Sequence, residues 1–173
     1  MTPSIYLIIH NVRSSYNVGA MLRSADAFAV DKVYMTGYTP FPSFDNDKRL
    51  PHIAQKVSRR IHKSALGAED SVSWSHEPDI LKLLATLRAK DIVIAALEQT
   101  KSASPLPSFL AGEKIALIVG REVEGIESEV LAAADIHLQI PMLGKKESLN
   151  VASTAAIALY QIRYRLSAMD SAA

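Results

Sequence analysis

The chain has 173 residues, of which 49% are hydrophobic and 21% charged, the composition of a globular domain with one substantial core. Its formal net charge of +1 excludes a strong overall attraction to nucleic acid, so any RNA binding must come from a local cluster of cations. The absence of cysteine excludes disulfides and thiolate metal sites and predicts a cytoplasmic protein. The longest uncharged stretch, residues 148–162, is shorter than the roughly 20 residues of a membrane helix.

Short β-branched runs alternate with helical patterns along the chain. Strands are predicted at residues 5–10, 32–37, 91–97, 114–120 and 136–141, and helices at about residues 17–29, 52–66, 79–90, 127–134 and 148–166. Several of the strands are apolar throughout, as a parallel sheet covered on both faces requires. The alternation therefore predicts an α/β fold with a mainly parallel sheet flanked by helices.

The stretch Asn11–Phe28 directly follows the first predicted strand. Asn17 is placed to cap the next helix, and Gly19 would allow a ligand or another backbone to approach closely. Arg23 falls one turn inside that helix, where it is either a functional cation or half of an ordinary surface ion pair. A dinucleotide fingerprint is excluded, because the pattern G-x-G-x-x-G is missing.

The stretch Ala116–Leu131 joins a buried strand to a short helix. Ligands of open α/β sheets bind at the carboxyl ends of the strands, so a cofactor is expected at this turn. Gly120 and Gly125 permit contact between backbone and ligand, although an ordinary strand-to-helix turn would show the same glycines. Glu122 and Glu124 bring acidic side chains to the turn.

The stretch Lys145–Ile162 joins a basic loop to an apolar helix, for which Ser148 or Asn150 can provide the cap. One face of this helix carries Val151, Ala155, Ala158, Leu159, Ile162 and Leu166, and the opposite face carries Ala152, Ala156, Ile157 and Tyr160. A helix that is apolar all round must be covered on both sides, and in so small a chain a second subunit is a natural cover.

Residues 48–63 contain six lysines and arginines and no acidic residue. Clustered cations give a nearly neutral protein affinity for RNA, but a solvated helix face would have the same composition. Lys145 and Lys146 are better candidates for phosphate contacts, because they adjoin the start of the final helix.

Three motifs in this order resemble the SpoU (TrmH-type) family of the SPOUT superfamily of RNA 2′-O-ribose methyltransferases. They are N-V-G-A-M-L-R at residues 17–23, G-R-E-V-E-G-I at residues 120–126, and I-P-M at residues 140–142 followed by S-L-N-V at residues 148–151. The chain departs from the family pattern with Ala29 in place of glycine, Arg121 in place of asparagine and Ala152 in place of serine.

The resemblance implies a SPOUT-type fold with a deep trefoil knot in the C-terminal third, and a single domain over residues 1–173 without a separate RNA-binding extension. It implies a homodimer that transfers a methyl group from S-adenosylmethionine to a ribose 2′-hydroxyl of tRNA or rRNA, without a metal. The cofactor residues implied are Leu97, Gly120, Ile140, Ser148 and Leu149. The catalytic residues implied are Arg23, Asn17, Glu122 and Asn150.

Two other functions stay open at this point. One is an RNA-binding dimer of the same fold that no longer catalyses, against which the intact Arg23, Glu122 and Asn150 argue. The other is a nucleotide-dependent oxidoreductase or transferase on a doubly wound sheet, which the missing glycine fingerprint disfavours.

Overall fold

Seven strands form one sheet in the computed structural model, which describes residues 3–121 and 124–165. The strands are β1 (Ser4–His10), β2 (Lys32–Thr36), β3 (Trp74–Glu77), β4 (Val93–Leu97), β5 (Ser104–Pro105), β6 (Lys114–Val119) and β7 (Ile136–Gln139). Their order across the sheet is β3-β2-β1-β6-β4-β7-β5, and all pairings between these strands are parallel. The predicted α/β fold with a mainly parallel sheet is confirmed.

Helices cover both faces of this sheet. They are α1 (Ser15–Ala27), α2 (Pro51–Ala65), α3 (Ala68–Ser71), α4 (Ile80–Arg88), α5 (Ser128–Ala132) and α6 (Val151–Arg165). Alternate residues of β1 point to opposite faces of the sheet, as the strand period of two requires. Ile5, Leu7 and Ile9 therefore belong to the core beneath α1, α2 and α6, whereas Ile8 belongs to the core beneath α4 and α5. None of the described helices has the length and apolarity of a membrane span.

All five predicted strands and all five predicted helices are present, with ends that differ by up to three residues. The sequence patterns missed the edge strands β3 and β5, the short helix α3 and a 3-10 helix at Leu106–Ser108. Strand β3 has the sequence WSHE, and its four residues are all half-buried. It therefore lacks the continuous apolar run that identifies a strand buried on both faces.

The start of α1 differs from the prediction. Ser14, rather than Asn17, caps this helix, because the Ser14 hydroxyl accepts a hydrogen bond from the backbone N–H of Asn17. Asn17 lies inside the first turn of the helix. A Cβ atom on Gly19 would lie 2.3 Å from the carbonyl oxygen of Ile61, so this glycine allows the backbone of α2 to approach α1.

The final helix begins at Val151, and Asn150 is its cap. The Asn150 Oδ1 accepts hydrogen bonds from the backbone N–H groups of Ala152, at 2.9 Å, and Ser153, at 3.4 Å. Within the described residues one face of α6 is buried in the single chain, and cover of the other face by a second subunit stays a prediction. Its buried residues are Val151, Ala152, Ala155, Ala158, Leu159 and Ile162. Leu166, predicted on the same face, lies outside the described residues.

The opposite face of α6 is open to solvent. Ile157 is 43% exposed and Tyr160 is 57% exposed, and Tyr164 continues the same surface at 49%. The ring centroids of Tyr160 and Tyr164 are 4.9 Å apart, and Phe28 of the segment after α1 packs against both rings. We call these four side chains the α6 apolar face.

Candidate active site

A cavity of about 300 Å³ lies at the carboxyl ends of β4, β6 and β7. This is the edge of a parallel sheet at which α/β proteins bind their ligands. Its described walls include Leu97, Glu98, Gln99, Val119, Gly120, Arg121, Glu124, Gly125, Gln139, Ile140, Met142, Glu147, Ser148, Leu149, Val151 and Thr154. All five of the residues predicted to bind the cofactor are among them.

Each of the three strands contributes a wall of this cavity at its end. Leu97 is the last residue of β4, Gly120 follows β6, and Ile140 lies just beyond β7. Ser148 and Leu149 come from the segment that leads into α6, and both are exposed. The sheet order therefore brings together residues that lie up to 52 positions apart, counted from 97 to 149.

Glu98 is a cavity residue that the motifs did not identify. Its Oε2 accepts a hydrogen bond of 2.9 Å from the backbone N–H of Ile126, and its Oε1 accepts one of 3.0 Å from the backbone N–H of Gln99. The carboxylate thus ties the end of β4 to the loop after β6. In the sequence, Glu98 could be noticed only by its position, because it is an acidic residue directly after a buried strand.

The two glycines of the second motif allow close packing within the chain. A Cβ on Gly120 would lie 2.5 Å from Cγ1 of Ile126, and a Cβ on Gly125 would lie 2.3 Å from Oε2 of Glu98. Gly125 also has a φ of +70°, a conformation that side chains disfavour. These contacts, rather than an approach to ligand alone, require glycine at both positions.

We expect Gly125→Ala to lower the free energy of unfolding by about 1–3 kcal/mol, because alanine is strained at this φ and its Cβ displaces the Glu98 carboxylate. Gly144→Ala is the matched control, since no described atom lies within 4 Å of its Cβ position. Urea titration of both variants measures the effect. Equal unfolding midpoints for the two would contradict the requirement for glycine at position 125.

The predicted catalytic residues are only partly brought together within one chain. The Asn150 Nδ2 donates a hydrogen bond of 3.1 Å to Oδ1 of Asn17, which joins the start of α6 to α1 near the rim of the cavity. Arg23 lies further along α1, is exposed and is not among the described residues that line the cavity. The ion pairs among the described residues do not include Arg23. Glu122 lies outside the described residues.

A polar cluster at the end of β1 supports the loop beside the cavity. His10 is buried, its Nδ1 lies 2.8 Å from the Thr36 hydroxyl, and its Nε2 lies 3.0 Å from Oε2 of Glu127. Asn11 donates a 2.8 Å hydrogen bond to Oε1 of Glu127, and the guanidinium of Arg121 lies 3.5 Å from the same oxygen. The cluster thus connects β1 and β2 to the loop that follows β6.

Both titrating groups of this cluster have lowered pKa values. Burial lowers the pKa of His10 below its ordinary value, and the nearby Glu127 carboxylate only partly offsets this. Burial acts to raise the pKa of Glu127, but hydrogen bonds from its own backbone and Asn11, together with the positive charges nearby, hold that pKa below its ordinary value.

We expect the free energy of unfolding to fall as the pH decreases below about 6.5, the ordinary pKa of histidine. A lowered pKa in the folded state means that unfolded His10 binds protons that folded His10 does not, which favours unfolding. The depressed pKa of Glu127 adds to the loss below about 4.5. Urea titrations across this pH range should show that His10→Gln, which cannot titrate, removes the upper part of the dependence. An unchanged pH dependence in that variant would contradict the assignment to His10.

The fold and the cavity define an α/β protein with a candidate ligand site at the carboxyl ends of its parallel strands. The comparison with known families gives a narrower identification. The chain belongs to the SpoU rRNA Methylase family, whose model matches residues 4–160.

Curated relatives match almost the whole chain. The 23S rRNA (guanosine-2′-O-)-methyltransferase RlmB of Nitrosomonas europaea is 30% identical over 161 residues, which are 92% of this chain and 55% of the relative. The 23S rRNA (guanosine(2553)-2′-O)-methyltransferase RlmP of Bacillus subtilis is also 30% identical over 161 residues, 91% of this chain and 57% of the relative. The chain therefore spans somewhat more than half the length of these curated relatives.

Solved structures share the fold. The A. aeolicus TrmH/SpoU tRNA modifying enzyme has a TM-score of 0.78 at 21% identity, with 96% of this chain and 77% of that chain covered. The SpoU methyltransferase AviRb of Streptomyces viridochromogenes in complex with AdoMet has a TM-score of 0.78 at 21% identity, with 96% of this chain and 60% of that chain covered.

Proposed function

We propose that this chain transfers the methyl group of S-adenosylmethionine to a ribose 2′-hydroxyl of RNA. The observation that carries the proposal is the composition of the cavity walls, which contain every residue that the family resemblance assigns to the cofactor. The curated relatives are named as 23S rRNA methyltransferases, whereas one structural neighbour is named as a tRNA modifying enzyme. The proposed substrate class is therefore rRNA or tRNA.

The chemistry of the cavity suits S-adenosylmethionine. Leu97, Ile140 and Leu149 offer apolar surface, and Glu98 and Glu147 offer carboxylates for a cationic ligand. A volume of about 300 Å³ lies within the range of small-molecule sites. When bound, the cofactor supplies an electrophilic methyl group on a sulfonium.

The residues of the chain must make a ribose hydroxyl reactive. A hydroxyl is a poor nucleophile until its proton is removed or its developing negative charge is stabilised. We assign the stabilisation to Arg23, whose guanidinium stays charged in proteins and can hold a phosphate and an alkoxide at once. Asn17 and Asn150 are joined by a hydrogen bond and would position the ribose at the cavity rim. Glu122 completes the proposed set.

We further propose that the protein works as a homodimer through the α6 apolar face. Contiguous exposed side chains such as Ile157, Tyr160 and Tyr164 are typical of an interaction surface. Because Arg23 is not among the described walls of its own chain's cavity, we propose that the partner subunit's cavity receives it, as the family resemblance implies.

The C-terminal trefoil knot is part of the same proposal. Strand β6 lies between β1 and β4, and β7 lies between β4 and β5, so later strands are inserted between earlier ones in the sheet. The Gln99 side chain donates a 2.8 Å hydrogen bond to the carbonyl oxygen of Glu147, which supports close passage of the two loops that a knot would entwine. Knots are rare in proteins, and this one rests on the family resemblance.

The experiment is a methyl-transfer assay with labelled S-adenosylmethionine and bulk rRNA or tRNA, followed by digestion to nucleosides and mass spectrometry. A 2′-O-methylated nucleoside that depends on the protein is the expected product. RNA binding without methyl transfer to either RNA would favour the inactive RNA-binding dimer instead. Mapping the 2′-O-methylation lost from cells without the protein then identifies the nucleotide.

A further inference from the structure

A second cavity, of about 660 Å³, lies apart from the first and shares none of its described lining residues. Four aromatic rings line it, from Phe41, Phe44, Trp74 and His76. The loop residues Asn46, Asp47, Lys48 and Arg49 and the strand residue Ser75 complete the described walls. We call this the aromatic pocket. Nothing in the proposed methyl transfer uses it.

The rings of the aromatic pocket form flat surfaces that are already held in place. Phe41 stacks on His76 with 4.0 Å between ring centroids, and Phe44 meets Trp74 edge-on at 6.2 Å. The Nε1 of Trp74 donates a hydrogen bond to the carbonyl oxygen of Glu69, which orients the indole. Phe44 is 52% exposed, so part of it is accessible to a ligand.

Arg49 builds the wall of the pocket. Its guanidinium lies 3.7 Å from the centre of the Phe41 ring and donates hydrogen bonds to Asp47 and to the carbonyl oxygens of Phe41 and Pro42. These bonds fix the loop in which Phe44 stands. The neighbouring Lys48 is exposed at the pocket and offers its charge to a ligand.

A stripe of cations begins beside the pocket. Helix α2 starts at Pro51, and its exposed Lys56, Arg59, Arg60 and Lys63 recur at intervals of three and four residues. That spacing puts them on one side of the helix, opposite the buried Ala54, Ile61 and Ala65. On its own, this stripe of cations would be interpreted as a solvated helix face. Here, however, it begins beside a cavity lined with aromatic rings.

We propose that the aromatic pocket binds an unpaired nucleobase of the RNA substrate, while Lys48 and the α2 stripe hold the adjoining phosphates. Aromatic rings that stack on bases beside a positively charged track are the general means of binding single-stranded nucleic acid. This inference rests on the proposed function in taking RNA as the ligand. A proline-rich peptide would also stack on aromatic rings, but it would leave the cationic stripe without a partner.

The aromatic pocket is connected to the first cavity through neighbouring strands of the sheet. His76 Nε2 lies 3.1 Å from the carbonyl oxygen of Gly37, and the next residue, Tyr38, donates its backbone N–H to Asn11 at the end of β1. Strand β1 in turn pairs with β6, whose end forms a wall of the first cavity. The pocket and the first cavity therefore belong to one sheet, with β2 and β1 between β3 and β6.

Trp74 is the single tryptophan of the chain, so its fluorescence reports on the pocket. The experiment titrates the full chain with a short single-stranded oligoribonucleotide and with an abasic ribose–phosphate chain of the same length. We expect saturable quenching by the oligoribonucleotide only, because stacking requires the base. Equal affinity for the abasic chain, or quenching by a proline-rich peptide at lower concentration than by RNA, would overturn the proposal.

Substitutions at Phe44 test the same contact without disturbing the core. Phe44→Ala should weaken binding of the oligoribonucleotide about tenfold, whereas Phe44→Tyr should retain it. Leu110→Ala is the matched control, because Leu110 is similarly exposed and is not among the described walls of the pocket. Unchanged affinity in Phe44→Ala refutes the pocket even if methyl transfer occurs. Base-dependent quenching without methyl transfer supports the pocket and refutes the proposed function.

Discussion

Replacing Arg23 with alanine is expected to lower the rate of methyl transfer at least about a hundredfold, as does removal of other charge-stabilising donors from active sites. The affinity for S-adenosylmethionine should stay nearly unchanged, because Arg23 is not among the described walls of its own chain's cavity. A contact made only in the transition state lowers turnover without weakening the ground-state complex. Methyl-transfer rates and calorimetric titration of the cofactor measure the two effects.

Two further variants test whether the loss of activity is specific to the guanidinium of Arg23. Arg23→Lys should recover little activity, because an ammonium group lacks the planar fork of the guanidinium. Lys90→Ala is the control for loss of an exposed cation, since Lys90 lies before β4, at the opposite edge of the sheet from the cavity. A tenfold loss of cofactor affinity in Arg23→Ala would contradict the separation of catalysis from cofactor binding.

Placing a charge on the α6 apolar face is expected to produce inactive monomers. In Tyr160→Glu a carboxylate would be buried without a partner at the proposed interface, at a cost of about 3–5 kcal/mol. That cost corresponds to roughly two to four orders of magnitude in the dimer dissociation constant. Light scattering and methyl-transfer assays at matched concentrations should show that assembly and activity are lost together.

The position of the charge matters in this experiment. Ala155 and Ala158 are completely buried within the chain, so a charge there would damage the core as well as the interface. Ala85→Glu on the exposed side of α4 is the matched control, because that helix covers the opposite face of the sheet. A wild-type protein that is monomeric and active at the same concentration would contradict the proposed dimer.

A mixing experiment distinguishes an active site shared between subunits from one within a single chain. Arg23→Ala and Leu149→Arg should each be inactive alone, the second because a cation in the cavity wall repels a cationic cofactor. In a mixed dimer, the intact Arg23 of one subunit would reach the intact cavity of the other. Recovery of activity on mixing is therefore expected, and its absence under conditions of subunit exchange would argue for a site within one chain.

Much of the fold could be predicted because the patterns that identify strands and helices lie in neighbouring residues of the sequence. The period of two in strands and of 3.6 in helices can be read from consecutive residues, so five of the seven described strands and the principal helices were predicted. Strand β3 was missed because an edge strand is covered incompletely and needs no apolar run. The cap of α1 was assigned to Asn17 instead of Ser14, since both residue types favour the cap and only the backbone conformation distinguishes them.

The candidate site was predictable to a similar degree. The ordered motifs, and for Leu97 the family resemblance alone, identified Leu97, Gly120, Ile140, Ser148 and Leu149, all of which line one cavity. They did not identify Glu98, whose role depends on a hydrogen bond to Ile126 in a different loop. The aromatic pocket was not predicted either, because the segment 41–49 and strand β3 come together only in the folded chain.

Local pattern and motif order were enough to establish the α/β class, the family resemblance and the identity of the candidate residues. Packing alone established that Asn17 meets Asn150 across 133 positions of sequence, that Arg23 stands outside the described walls of its own cavity, and that the Tyr160 side of α6 is open. The physical reason is that periodicity reports which residues can share a face, whereas burial and contact depend on which distant elements cover that face. An apolar helix has the same pattern whether its second side meets its own core or another subunit.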